Sequence, residues 1–284
     1  MKTRNFLLAG IITFSGMIAL TSCENDDNDV SSEELSTETI DLVKESSTTE
    51  MIEEEIDASV SEAIGYSEEE SSGLKSTSVE SECATVTVLP EDGSFPKTIT
   101  IDFGDGCEGN SGLTRSGSII ITITDTLRNP GAEYSTTFNN YTVENISVTG
   151  TKTVENTGTE DAPSFTEESD FSFTTPSNIV IDKQKSITRT WIEGMDTYVL
   201  VDDVFLISGS ADVNSSSGRS YSYIITEPLK ISRNCVNILE GEMEITWSGH
   251  EESVTIDYGD GECDWKVYVS RARRIIRRAV FLNN

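Results

Sequence analysis

From Ala84 to the C-terminus, apolar and polar residues alternate in short runs separated by turn residues. In Lys97 to Phe103, residues Ile99, Ile101 and Phe103 share one face, and Thr98, Thr100 and Asp102 the other, which describes a half-buried strand. Similar runs predict strands at Ala84–Leu89, Gly117–Thr124, Ser135–Val143, Ile146–Val154, Ser164–Thr174, Asn178–Ile192, Tyr198–Val213 and Ser220–Ile225. After Pro228 the pattern continues through Leu229–Cys235, Leu239–Trp247, Glu252–Tyr258, Trp265–Val269 and Ile275–Leu282. The longer runs should each contain a bend or bulge, and Gly209 lies inside one of them. With no helical period after residue 82, the body is predicted to be all-β and antiparallel, either a sandwich or a curved meander of hairpins.

The stretch before it reads differently. From Glu24 to Glu82 it is rich in Ser, Thr and Glu, with twenty acidic residues against two lysines, the composition of a disordered, self-repelling tether. Within it Ile52, Ile56, Val60 and Ile64 recur every four residues, one apolar stripe on a short acidic helix. Such a helix is marginal alone in water, so it would have to dock on the β body or on a partner. The resulting division is 1–22 as leader, 23–82 as acidic linker with a helix, and 83–284 as the β-rich domain. The turn-forming stretch 160–165 marks a place where that domain could split, and one continuous domain is the preferred reading.

Two stretches resemble each other, Ile99 to Cys107 (ITIDFGDGC) and Val254 to Cys263 (VTIDYGDGEC), and each has a cysteine upstream, Cys83 and Cys235. Four cysteines after Cys23 can pair in three ways, and the local bracketing of each hairpin favours Cys83 with Cys107 and Cys235 with Cys263. Glu262 adds one residue to the second copy, which would turn a side chain to the other face unless a bulge absorbs it. Asp102 and Asp105, with Asp257 and Asp260, place carboxylates around glycine turns. A structural calcium site is one reading of them. The plain Asp-Gly turn is the other and is favoured, since EF-hand spacing is absent. No other cofactor is indicated.

Charge narrows the partners. Fifty acidic against twenty basic residues give a formal charge of -30, which disfavours nucleic acid as a partner. Lys2 and Arg4 precede an apolar run, Phe6 to Leu20, the pattern of a secretory signal peptide. Its end, Leu20-Thr21-Ser22-Cys23, resembles the lipobox of bacterial lipoproteins. That resemblance implies cleavage after Ser22 and lipidation of Cys23, hence attachment to a membrane by a lipid anchor. The acidic run Glu24 to Asp29 resembles the surface-export signal of Bacteroidota lipoproteins, which implies the outer membrane and display at the cell surface, against a periplasm-facing anchor. The strand-Gly-Asp-Gly-Cys units are similar to those of uncharacterised Bacteroidota lipoproteins, a family that implies no activity. The Phe-Gly-Asp-Gly core also resembles polycystic-kidney-disease domains, but Ile101 replaces their Trp.

The last nineteen residues hold six of the twenty basic ones, Lys266, Arg271, Arg273, Arg274, Arg277 and Arg278. They form a candidate anion-binding patch for lipid phosphates or anionic glycans, or else a charge-guarded edge strand. His250 is the only histidine, so no His-based metal cluster or triad is indicated, and no catalytic signature is found. The favoured expectation is a lipid-anchored envelope protein acting as a binding or structural module, with a glycan or an envelope protein as ligand. The alternative is a glycan hydrolase with two carboxylates and exposed tryptophans lining a cleft, for which Trp191, Trp247 and Trp265 are the residues to locate.

Overall fold

The computed structural model describes residues 36–72, 84–109, 111–159, 161–195, 200–235, 237–264, 266–271 and 274–281. It contains one long helix, α1 (Thr37–Ser72), followed by a single antiparallel sheet. The first strands are β1 (Thr85–Leu89), β2 (Lys97–Asp102), β3 (Cys107–Glu108), β4 (Thr114–Ile123), β5 (Glu133–Val143), β6 (Ile146–Asn156) and β7 (Ser164–Thr174). They are followed by β8 (Val180–Glu193), β9 (Val204–Ser215), β10 (Ser220–Ser232), β11 (Glu240–Trp247), β12 (Val254–Asp260), β13 (Lys266–Arg271) and β14 (Arg274–Phe281). Each strand pairs with its sequence neighbour, apart from β3, which continues the edge of β2 along β4. The predicted all-β body is therefore a curved meander and not a sandwich. It runs without a break through 160–165, where β6 and β7 pair from Ser147↔Thr174 to Asn156↔Phe165.

The sheet wraps α1. No residue of the helix from Leu42 to Glu68 is exposed. The predicted stripe is there, with Ile52, Ile56, Val60 and Ile64 all buried in the same core as Ile99, Ile101, Ile119, Ile121 and Tyr141. The helix docks on the β body, as its marginal stability alone required, and it is longer than the short helix expected, since residues 37–72 form one helix at the centre of the fold. Composition pointed the other way because it counts carboxylates and not their partners. Ser36 caps the helix, its Oγ accepting from the Thr39 amide at 3.2 Å.

Strand alternation explains how an acidic helix can be enclosed. Along β8, Ile181, Lys183, Lys185, Ile187 and Arg189 are buried, while Asp182, Gln184, Ser186 and Thr190 are exposed. The inner face thus carries cations between its apolar residues. The outer face is polar, as Thr151, Thr153 and Glu155 on β6 also show, whereas a transmembrane barrel presents an apolar band to lipid.

Two irregularities lie side by side in the sheet. Ser220–Ile225 and Leu229–Cys235, predicted as separate strands, belong mostly to one strand, β10, with a bulge around Pro228. That bulge faces Gly209, where the β8 ladder runs straight through Ile187↔Gly209. Gly209 has φ +138°, and a Cβ there would meet the Ser186 carbonyl oxygen at 2.3 Å, so the predicted bulge is in the neighbouring strand and the glycine permits close approach.

The path from β1 to β14, leaving out β3, passes through an odd number of antiparallel strands, so the two end strands run in the same direction. Antiparallel pairing cannot join them, and no pairing between β1 and β14 occurs among the described residues. A seam is left in the wrapped sheet.

Candidate functional site

Two features stand out: the charged interface between α1 and the inner face, and a cavity beside the helix. In the first, Glu50 and Glu53 receive Lys183 and Lys185, with Lys185 Nζ 2.8 Å from a carboxylate oxygen of each. Lys183 lies 2.7 Å from Glu53 and also bonds Glu50, which accepts the Tyr223 hydroxyl as well. One turn on, Arg189 donates from Nε to Glu167 at 2.6 Å, and from Nη2 to Glu54 at 2.9 Å and Asp57 at 2.8 Å. Lys152 bridges Asp57 at 2.7 Å and Glu167 at 2.5 Å. Arg115 completes the set, 2.9 Å from Glu55 and 3.0 Å from the Ser59 hydroxyl.

Burial alone would raise the carboxyls of Glu50, Glu54 and Glu167. Their cations outweigh it, Lys183 and Lys185 for Glu50, Arg189 for Glu54, Arg189 and Lys152 for Glu167, and hold all three below the usual carboxylate range. Burial would lower Lys185, but Glu50 and Glu53 keep it firmly protonated. These groups neutralise one another. The arrangement fixes the helix in register and leaves little free charge for chemistry.

Asp203 behaves oppositely. Burial, with Asp202 adding to it against the pull of Arg233, pushes its carboxyl up to about 6 from 3.8. A raised acid favours the fold below its unfolded value and loses that contribution as pH rises toward 6. Asp203→Asn should therefore stabilise the protein by about 1 kcal/mol near neutral pH, allowing for solvent screening, and have little effect near pH 4. Urea unfolding at the two pH values reads the difference.

The cavity, about 250 Å³, lies beside the helix, between the turns at one end of β4 and β5 and the segments around β12 and β13. Met51, Thr48 and Glu54 line it from α1, Leu113 and Glu144 from the turns beside β4 and β5, and Ile238, Tyr258, Asp264 and Lys266 from the last strands. Thr48, Met51, Glu54, Ala58, Ser61 and Gly65, all partly buried, fall on one helical stripe, of which Thr48, Met51 and Glu54 line the cavity. Glu54 is held by Arg189, Glu144 accepts the Thr114 amide at 2.6 Å, and Asp264 accepts the Lys266 amide at 2.9 Å. A shallower depression on the outer surface is lined by Asp212, Asn214, Ser222 and Thr246, where Ser222 and Thr246 hydroxyls already bond each other at 3.1 Å.

The residues singled out by sequence are distributed as follows. Cys235 and Cys263 form a disulfide, and Cys107 is disulfide-bonded, while Cys83 and Cys23 lie outside the described residues. The four aspartates do not gather round an ion: among the described residues no cluster suited to a metal is present. Asp102 and Asp257 instead make matching turns, each accepting the amide two residues on, from Gly104 and Gly259, at 2.9 Å. Asp105 and Asp260 are exposed. The first copy departs from a simple hairpin, since its turn only interrupts the edge strand between β2 and β3. In the second copy a bulge lies at the end of β12, where Glu240↔Asp260 shifts to Glu242↔Asp257, and the extra residue, Glu262, lies beyond the strand.

Arg271 has partners within the fold. It donates to the Thr39 hydroxyl at 2.7 Å and lies over the Trp247 ring. Arg273 and the side chains of Arg274, Arg277 and Arg278 are outside the described residues. Trp247 is buried, Trp191 is half-buried between Phe205 and Arg128, and Trp265 is not described. His250 packs on Trp247 and lies 3.4 Å from Glu38 at the helix start. Sequence reasoning missed Lys152, Lys183, Lys185 and Arg189. Their signal was available in the alternation of β8, where the cations share a face with Ile181 and Ile187.

Comparison with protein-family models, with curated proteins and with solved structures finds no match for this chain.

Proposed function

We propose that this chain is a lipoprotein, anchored through Cys23 in the outer membrane, whose β body is displayed at the cell surface as a binding module. Leu20-Thr21-Ser22-Cys23, closing an apolar run that begins behind Lys2 and Arg4, carries the reading. The acidic run Glu24 to Asp29 supports surface display, and the polar outer face of the sheet suits a body held in water beside the membrane. Twelve residues lie between Cys23 and Ser36, a reach of at most ~45 Å when extended. The cavity beside the helix is where a ligand would dock. Its mixture of apolar side chains and hydrogen-bonding groups fits one residue of a glycan or a side chain of an envelope protein.

Globomycin treatment, or Cys23→Ala, tests the anchor. Either should shift the protein to an unprocessed or soluble form, and unchanged membrane fractionation of the variant would remove the reading. Protease shaving of intact cells then separates surface display from a periplasm-facing anchor.

A further inference from the structure

Most of the buried charges around α1 cancel, and one group keeps a surplus. Glu50 and Glu53 face two lysines, Lys183 and Lys185, and Glu55 faces Arg115. The next group sets three carboxylates, Glu54, Asp57 and Glu167, against only Lys152 and Arg189 among the described residues. It is one cation short. Arg233 acts on Glu54 from farther off and is itself bonded to the Ser61 hydroxyl. An unmatched negative charge at this depth is unfavourable. Burial accordingly pushes the Asp57 carboxyl up, against the pull of Lys152 and with Glu167 and Glu54 adding to it. Glu54 is the member of this group that lines the cavity, its side chain 11% exposed where those of Asp57 and Glu167 are 6% and 4%.

The rest of the wall has the same preference. The described lining residues include the carboxylates of Glu50, Glu54, Glu144 and Asp264 against a single cation, Lys266, which lies 3.7 Å from Asp264. Ser47 and Tyr258 also line the cavity, each 5% exposed, and their enclosed hydroxyls have no hydrogen-bond partner. Buried oxygens of this kind call for a partner. Met51, Leu113, Ile238 and Val267 supply apolar surface of the sort that takes an alkyl chain. We infer that the cavity receives the side chain of a lysine on a partner protein, its stem against these four residues and its ammonium on Glu54. The inference rests on the reading of the cavity as the docking site and names the chemistry that docks there. An anion would meet four carboxylates, and a neutral group would leave the surplus unmatched. At about 250 Å³ the cavity is smaller than the usual pocket for a drug-sized ligand and suits one side chain. The formal charge of -30 draws a basic partner toward it.

Methyl NMR of the full chain, read at Met51, tests this with N-acetyl-lysine methylamide, its uncharged analogue N-acetyl-norleucine methylamide, and methyl β-glucoside. The lysine probe should shift the Met51 methyl saturably. The norleucine probe should bind about tenfold more weakly, the effect of losing one hydrogen bond to a charged group. Glu54→Gln should weaken the lysine probe by a similar factor, whereas Asp212→Asn, on the outer surface, should leave it unchanged. Equal binding of the two amides, undiminished binding of the lysine probe by Glu54→Gln, or a shift with the glucoside and none with the lysine probe would overturn the inference and leave the cavity a docking site. No shift with any probe would overturn both. Should Glu54→Gln fail to fold, the comparison of the lysine and norleucine probes on the wild-type chain decides alone.

Discussion

Arg189→Ala is expected to lower the unfolding free energy by about 3–5 kcal/mol, the range for removing one partner of a buried ion pair. Arg189 is buried and holds three carboxylates, Glu54, Asp57 and Glu167, at 2.6–2.9 Å. Only Lys152 remains within reach of two of them after the change, at 2.7 Å from Asp57 and 2.5 Å from Glu167, and Glu54 loses its direct partner. Arg189→Lys should recover part of the loss, since it restores the charge without the guanidinium fork that spans strand and helix. Arg219→Ala is the contrasting control. Its pair with Glu45 is more open to solvent, and about 1 kcal/mol or less is expected.

The pH dependence of that variant has a definite sign. In the wild type, Glu54 and Glu167 have depressed folded values, so their contribution is fully present above the unfolded value of 4.5 and fades as pH falls through the folded ones. Without Arg189, Glu54 loses its direct partner and Glu167 keeps only Lys152, so most of that contribution is already gone near neutral pH. The gap between wild type and Arg189→Ala should therefore be widest above pH 4.5 and narrow in acid. Urea unfolding followed from neutral pH into acid measures it. A gap independent of pH would mean that Arg189 acts through packing alone, for example on the Phe205 ring 5.8 Å away.

What could be read from the chain depended on which physical signal each part carries. Apolar alternation located nearly every strand, because Ile99, Ile119 or Val148 must face a core whatever the topology. The stripe Ile52–Ile56–Val60–Ile64 located the helix for the same reason. The rest of the helix was illegible, because Glu50, Glu53 and Asp57 look like solvated residues until their partners are known. Those partners lie on β6 and β8, 95 to 135 residues away. A rule that puts apolar residues inside and charges outside assigns them the wrong surroundings. Lys183 and Lys185 were nevertheless in phase with Ile181 and Ile187, so the period alone, taken without regard to polarity, placed them inward. The seam is a different case. It follows from the parity of the strand count, which the merging of two predicted strands into β10 decides. The cavity depends on the loops that the disulfide holds together.

Replacing Cys235 and Cys263 by serine is expected to cost about 3–4 kcal/mol, the chain-entropy value for a crosslink spanning 28 residues. The bond closes the loop that contains β11 and β12, joining the segment after β10 to the segment before β13. Those two segments carry Asn237, Ile238, Asp264 and Lys266, one wall of the cavity. The loss should therefore have a local signature besides the global one. Hydrogen exchange should quicken around residues 237–239 and 261–267 well before it does in β4 to β8, whose ladders are continuous and distant from the crosslink. Cys263 is exposed, so a reductant added to the folded wild type should produce the same pattern. Uniform acceleration across the whole sheet would show that the bond acts only on the unfolded chain. Unchanged urea midpoints would show that the apolar ladder of Met243, Ile245, Val254 and Ile256, all fully buried, holds this hairpin without it.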